Sequence, residues 1–127
     1  MKHNIVGWFE IPVSNIDRAV KFYESVLNMK LKVHDLGDLK MAWFPRKDDV
    51  PGAPGSLVYH EKFYKPSENG VLIYMTTPSG DLNADMKKVE EAGGKVIIPR
   101  RLISEEFGFM AVIIDTEGNR IALHSRT

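Results

Sequence analysis

Apolar residues run from Val6 to Val13 (VGWFEIPV) with a single polar side chain, rich in the β-branched and aromatic types of a strand. Trp8 and Glu10 then share one face, with Gly7, Phe9 and Ile11 on the other. The period changes after Val13. Ile16, Ala19, Val20, Tyr23, Val26 and Leu27 recur at three- and four-residue steps, predicting an amphipathic helix. Ser14 or Asn15 caps its start, and Asn28 ends it in the left-handed region. Strands are predicted over Lys30–Asp35, Lys40–Phe44 and Ser56–Tyr59, the last extending as far as Glu61 in the longer reading. Pro45 to Gly55, with three prolines and two glycines, reads as a loop and a candidate lid over residues Asp48–Gly55.

The same order returns in the second half. Gly70–Thr76 reads as a strand, and Asp81–Ala92 as a helix burying Leu82, Met86 and Val89 before Gly93-Gly94. Strands over Lys95–Pro99, Phe109–Ile114 and Arg120–His124 follow, the last two joined by the turn Asp115-Thr116-Glu117-Gly118-Asn119. Laying the halves together puts Ile16 over Leu82, Val20 over Met86 and Tyr23 over Val89, which points to an internal duplication. The chain is therefore read as one domain, 1–127, of module 1–61, linker 62–69 and module 70–127. The fold class is α+β, with two βαβββ modules.

Composition narrows the function. Lys and Arg total 17, as do Asp and Glu, so the net charge is zero and the footprint of a nucleic-acid or anionic-membrane binder is missing. No apolar run approaches the roughly 20 residues that span a bilayer, and Met1-Lys2-His3-Asn4 leads into strand-like sequence, so a cytoplasmic domain is expected. The absence of cysteine removes disulfides, thiolate metal sites and cysteine nucleophiles. Ser56 and Ser67 lie in turn-like sequence, and neither a G-x-S-x-G elbow nor a glycine-rich phosphate loop occurs.

The stretch Trp8–Leu31, with Phe22-Tyr23 and Val26-Leu27 inside it, resembles the first module of the vicinal oxygen chelate superfamily. That group includes glyoxalase I, bleomycin-resistance proteins and extradiol dioxygenases. Val89–Val96 followed by Asp115–Ile121 resembles its second module. The resemblance covers essentially the whole chain. It implies two paired βαβββ modules forming a curved, barrel-like mixed sheet around a cavity, and a homodimer. It also implies a metal held by His or Glu on the first and last strands of each module, because those donors suit divalent ions that chelate neighbouring substrate oxygens.

Carried over residue by residue, those four positions fall on Trp8, on Leu57 or Tyr59, on Leu72 with Tyr74 as its same-face neighbour, and on Ala122. None is a usual ligand, so no metal or other cofactor is expected at the family's site. Glu10, beside Trp8, is a candidate general base or partner for a cationic ligand group. A shifted divalent-metal site would draw on Glu10, His124 and either His60 or Glu61. Trp8, Trp43, Tyr59, Tyr74, Phe109 and Met110 divide between core and pocket, with Trp8 and Tyr74 assigned to the pocket. Arg100-Arg101 and Lys87-Lys88 read as solvated surface charge.

Two functions stay open. The first is a metal-independent small-molecule binder resembling the resistance proteins, its cavity walled by Trp8, Glu10, Tyr59, Leu72, Tyr74, Ala122 and His124. The second is a lyase or isomerase resembling glyoxalase I, with Glu10 as the catalytic group in an atypical metal set.

Overall fold

The computed structural model describes residues 2–127. The first half runs β1 (Phe9–Pro12), α1 (Ile16–Leu27), β2 (Lys32–Asp35), β3 (Leu39–Trp43) and β4 (Gly55–His60). The second runs β5 (Ile73–Thr76), α2 (Leu82–Glu91), β6 (Lys95–Ser104), β7 (Gly108–Ile114) and β8 (Arg120–Ser125). Each half folds its strands into one four-stranded sheet, ordered β1-β4-β3-β2 and β5-β8-β7-β6. The first and last strands of each half are parallel, and every other pairing is antiparallel. The crossover between those parallel strands is where each helix sits, as parallel neighbours require. This is the α+β, duplicated βαβββ arrangement the periodicity predicts. No described helix is long and apolar enough to cross a membrane.

The core lies between sheets and helices. Ile11, Leu57 and Ala42 stand in one row across β1, β4 and β3 and are fully buried with Phe22, Tyr23 and Val26 of α1. In the second half Leu82 and Val89 of α2 join Ile113, Ile121 and Leu123 in the same cluster. The Asn15 side chain accepts from the Arg18 amide to cap α1, and Asn28 closes it at φ 50°. Asp81 caps α2 through the Ala84 amide.

Several boundaries move, each for a local reason. β1 starts at Phe9 rather than Val6 because its partner β4 begins at Gly55, preceded by Pro54, which has no N–H to extend the ladder. β5 starts at Ile73 rather than Gly70, and the Gly70 carbonyl is taken by the Arg120 guanidinium instead. β6 continues through Pro99 to Ser104, because it is an edge strand and its register with β7 shifts between Ile98 and Arg101. On α2, Met86 is only half-buried while Asp85 is fully buried, its carboxylate accepting from the Ser79 hydroxyl at 2.8 Å.

The two halves are joined through the turn between β7 and β8. Glu117 accepts from the Ser14 and Asn15 amides and from the Arg18 guanidinium at 2.7 Å. It thereby caps the helix of the other half with a charge suited to the helix N-terminus. Burial opposes its ionisation, but these donors and the Thr116 hydroxyl outweigh it and hold the carboxyl below its ordinary value. Asp115 accepts the Tyr23 hydroxyl at 2.6 Å. Burial, then the Asp115 charge and hydrogen bond, push the Tyr23 phenol well above its ordinary value, so it remains the donor. Asn119 donates to the Pro12 carbonyl at 2.7 Å, which ties β1 to the start of β8. Gly94 completes the contact: a Cβ there would lie 2.7 Å from the Phe22 ring.

Candidate functional site

Sheet register decides which side chains face away from the helices. On the first sheet Ile11, Leu57 and Ala42 face α1, so the alternate residues form an open face. Glu10, Ser56, Trp43 and Lys32 stand in one row across it, and Pro12, Val58, Met41 and His34 in the next. Trp8 precedes β1 and reaches the same face, its indole N–H donating to Glu10 Oε2 at 3.3 Å. The Trp8 and Trp43 rings meet edge to face, 5.4 Å between centroids, and His34 lies 4.5 Å from Trp43 on its far side. A continuous aromatic strip crosses the sheet, and Trp43 keeps 38% of its surface exposed.

The strip contains polar groups that nothing satisfies. Ser56 is completely buried between Glu10 and Trp43, and its hydroxyl has no partner among the described residues. The His34 Nε2 is likewise buried and unpaired. Each such atom costs about 1–3 kcal/mol relative to a paired one, so a ligand or water that bonds to it recovers that energy. Glu10 is held differently. Its Oε1 accepts the Tyr64 hydroxyl at 2.7 Å, and that bond, with burial and the Glu10 charge, raises the Tyr64 phenol above its ordinary value.

The second sheet's open face carries Tyr74, Ala122, Val112 and Ile98 in one row and Thr76, His124, Met110 and Arg101 in the next. Ala122 and Val112 are small and buried, while Tyr74 stands 52% exposed. His124 is saturated: its Nε2 donates to the Phe107 carbonyl at 2.6 Å and its Nδ1 meets the Thr76 hydroxyl at 2.9 Å. With the carbonyl fixing the proton on Nε2, Nδ1 accepts from Thr76.

Of the cavity residues expected from sequence, Trp8 and Glu10 lie together on the first sheet's open face. Leu72, Tyr74, Ala122 and His124 belong to the second half, Leu72 just ahead of β5. Tyr59 is a correction. It shares the helix-facing side of β4 with Leu57 and packs on the core, because side-chain direction alternates and Ser56, Val58 and His60 take the open side. Sequence reasoning missed His34, Ser56 and Tyr64 and assigned no pocket role to Trp43. Strand alternation could have placed His34 and Trp43 on one face had the β2–β3 register been known. Tyr64 sits in the predicted linker and carries no sequence signal.

The residues do not fit a divalent metal. Trp8, Leu72 and Ala122 are not usual donors, Leu57 and Tyr59 face the core, and among the described residues the shifted set does not converge. His60 is four residues along β4 from Ser56, the neighbour of Glu10, which is about 13 Å of strand. Its Nδ1 already accepts from the Lys62 and Phe63 amides. Among the described residues no three His, Asp or Glu side chains converge. A surface depression of about 510 Å³ lies beside α1 among Asp17, Lys21 and Ser25, and none of Glu10, His60 and His124 lines it.

The family model of the Glyoxalase/Bleomycin resistance protein/Dioxygenase superfamily matches residues 5–123, and the chain belongs to this superfamily. A "Glyoxylase-like domain-containing protein" from Didymella fabae is 27% identical over 127 residues, covering 98% of this chain and 95% of that protein. Among solved structures, glyoxalase I from Zea mays superposes with a TM-score of 0.72 at 22% identity, over 94% of this chain. The chain spans only 45% of that maize protein. TnmS3, described as an antibiotic binding protein from Streptomyces sp. CB03234, is 26% identical with a TM-score of 0.64, covering 100% of this chain and 99% of its own.

Proposed function

We propose that this protein binds a planar, largely apolar small molecule on the open face of its first sheet, without a resident metal. The observation that carries the reading is the Trp8–Trp43–His34 strip, part-exposed and floored by unpaired buried polar atoms of Ser56 and His34. Aromatic walls supply contact area with little entropy loss, and a few polar atoms set orientation. The likeness to an antibiotic binding protein over the full length of both chains supports a binding role. That no three His, Asp or Glu side chains converge among the described residues supports metal independence. A second copy of the chain is taken to close the open face, giving a homodimer. The length of the maize protein, of which this chain covers 45%, agrees with a working unit built from two such domains.

The two tryptophans are the only ones in the sequence and both lie in the strip, so intrinsic fluorescence reports on the site directly. Titration with two- and three-ring planar aromatics should quench it saturably at one ligand per chain, with elemental mass spectrometry showing no stoichiometric metal in the binding-competent protein. A flat fluorescence response across that series, or binding that appears only after loading with a divalent metal, refutes the reading.

A further inference from the structure

Glu10 borders a second space besides the aromatic strip. A pocket of about 180 Å³ runs along the seam between the halves, with Glu10 and Pro12 on one wall and Lys65, Ser67 and Arg120 on the other. About 10–15 Å³ of such space holds one water, so this pocket admits a small functional group with its solvent.

Arg120 is the first residue of β8 and lies on the same side of the second sheet as Ala122 and His124. One Nη donates to the Gly70 carbonyl at 3.2 Å, which holds the guanidinium against the segment ahead of β5. Its Nε is buried and has no partner among the described residues. A guanidinium binds a carboxylate through parallel N–H bonds from its rigid fork, and here that fork is held with one buried tooth unpaired. Two cationic residues line the pocket, Arg120 and Lys65, against the single carboxylate of Glu10. Each Glu10 oxygen accepts one hydrogen bond, from Trp8 and from Tyr64, and no ion pair joins Glu10 to Arg120 among the described residues. The pocket is thus set for a monoanion, and its Glu10 wall is shared with the aromatic strip through the Trp8 indole N–H.

We propose that the ligand is an aromatic carboxylic acid, its ring system against the tryptophan strip and its carboxylate in the seam on Arg120. The assignment rests on the aromatic-face reading and adds to it the anionic group. It makes the seam between the two halves a specificity-determining element rather than only a packing joint.

The test is a matched pair of probes, 2-naphthoate and its neutral analogue 2-naphthamide, titrated by tryptophan fluorescence. In the unmodified protein the acid should bind about tenfold more tightly than the amide, the span of one charge-assisted hydrogen bond. Arg120→Gln should abolish that difference by weakening the acid about tenfold more than the amide, and Arg120→Lys should restore part of it by charge without the fork. Equal binding of acid and amide to the unmodified protein overturns the carboxylate assignment and leaves the aromatic face standing. A loss equal for both probes in Arg120→Gln makes Arg120 a structural residue and also overturns it. Binding of neither probe overturns both readings. The comparison of acid with amide needs no variant, so a folding defect in Arg120→Gln leaves the proposal open to refutation.

Discussion

The two halves share one topology and one helix-packing scheme, yet their open faces differ. The first carries Trp8, Trp43 and His34 in mutual contact, with the Ser56 hydroxyl and the His34 Nε2 buried and unpaired. The second carries Ala122 and Val112 at its centre, and its one histidine has both ring nitrogens committed to Thr76 and Phe107. A buried unpaired group is prepared for something to arrive: the first face has two beside its aromatic rings, whereas the second has the Arg120 Nε at its seam edge and, among the described residues, none at its centre. The two halves supply equivalent frames, and the contacting aromatic side chains are concentrated on one of them. The second half contributes in another way, through the Asp115–Asn119 turn that fixes β1 and α1 of the first.

That division of labour can be broken first at the joint. Asp115→Ala leaves the Tyr23 hydroxyl and the Glu117 and Asn119 amides without their acceptor, and two or more newly unpaired groups should cost about 3 kcal/mol or more in urea denaturation. Asp115→Asn, which keeps one acceptor oxygen, should cost clearly less. A loss under about 1 kcal/mol for the alanine variant would mean the halves are held by apolar contact alone.

The second comparison is between faces. Trp43→Ala should weaken binding of a planar ligand by about 2 kcal/mol, roughly thirtyfold, and Tyr74→Ala should change it less than about twofold. Calorimetric titration of both variants decides the point. Equal losses would show that the two faces bind together and that the asymmetry is only local.

The smallest expected effect is in pH dependence. The Glu117 carboxyl titrates below its ordinary value in the folded protein, since its donors outweigh burial. Its contribution to stability is complete above the unfolded glutamate value of about 4.3 and disappears as pH falls through the lower folded value. The stability gap between the unmodified protein and Glu117→Gln should therefore be constant near neutrality and close below about pH 4. A gap that persists unchanged at pH 3 would remove the carboxylate's charge from the account.

Most elements were legible because their signals are local. The helix stripe Ile16–Leu27, the cap at Asn15, the left-handed Asn28 and the Gly93 terminus all reflect preferences of short segments. The ends of β1, β5 and β6 were less legible, since a strand's length is set by its partner. The candidate site was legible only where one strand sufficed. Trp8 and Glu10 lie two residues apart, so alternation alone put them on one face. Tyr59 was misplaced because the face of β4 turns on which residue stands opposite Ile11, and a shift of one residue reverses every side chain.

The sequence by itself determined the duplicated βαβββ order, the helix faces and the turn chemistry. Each follows from residue type and short-range spacing. Only the tertiary structure decided that Trp43 stands between Trp8 and His34, that Tyr64 reaches Glu10 from 54 residues away, and that Arg120 lines the seam pocket with an unpaired donor. Those are relations between strands and across halves, set by sheet register and by the Asp115–Glu117–Asn119 joint, and a periodicity read along one segment does not contain them.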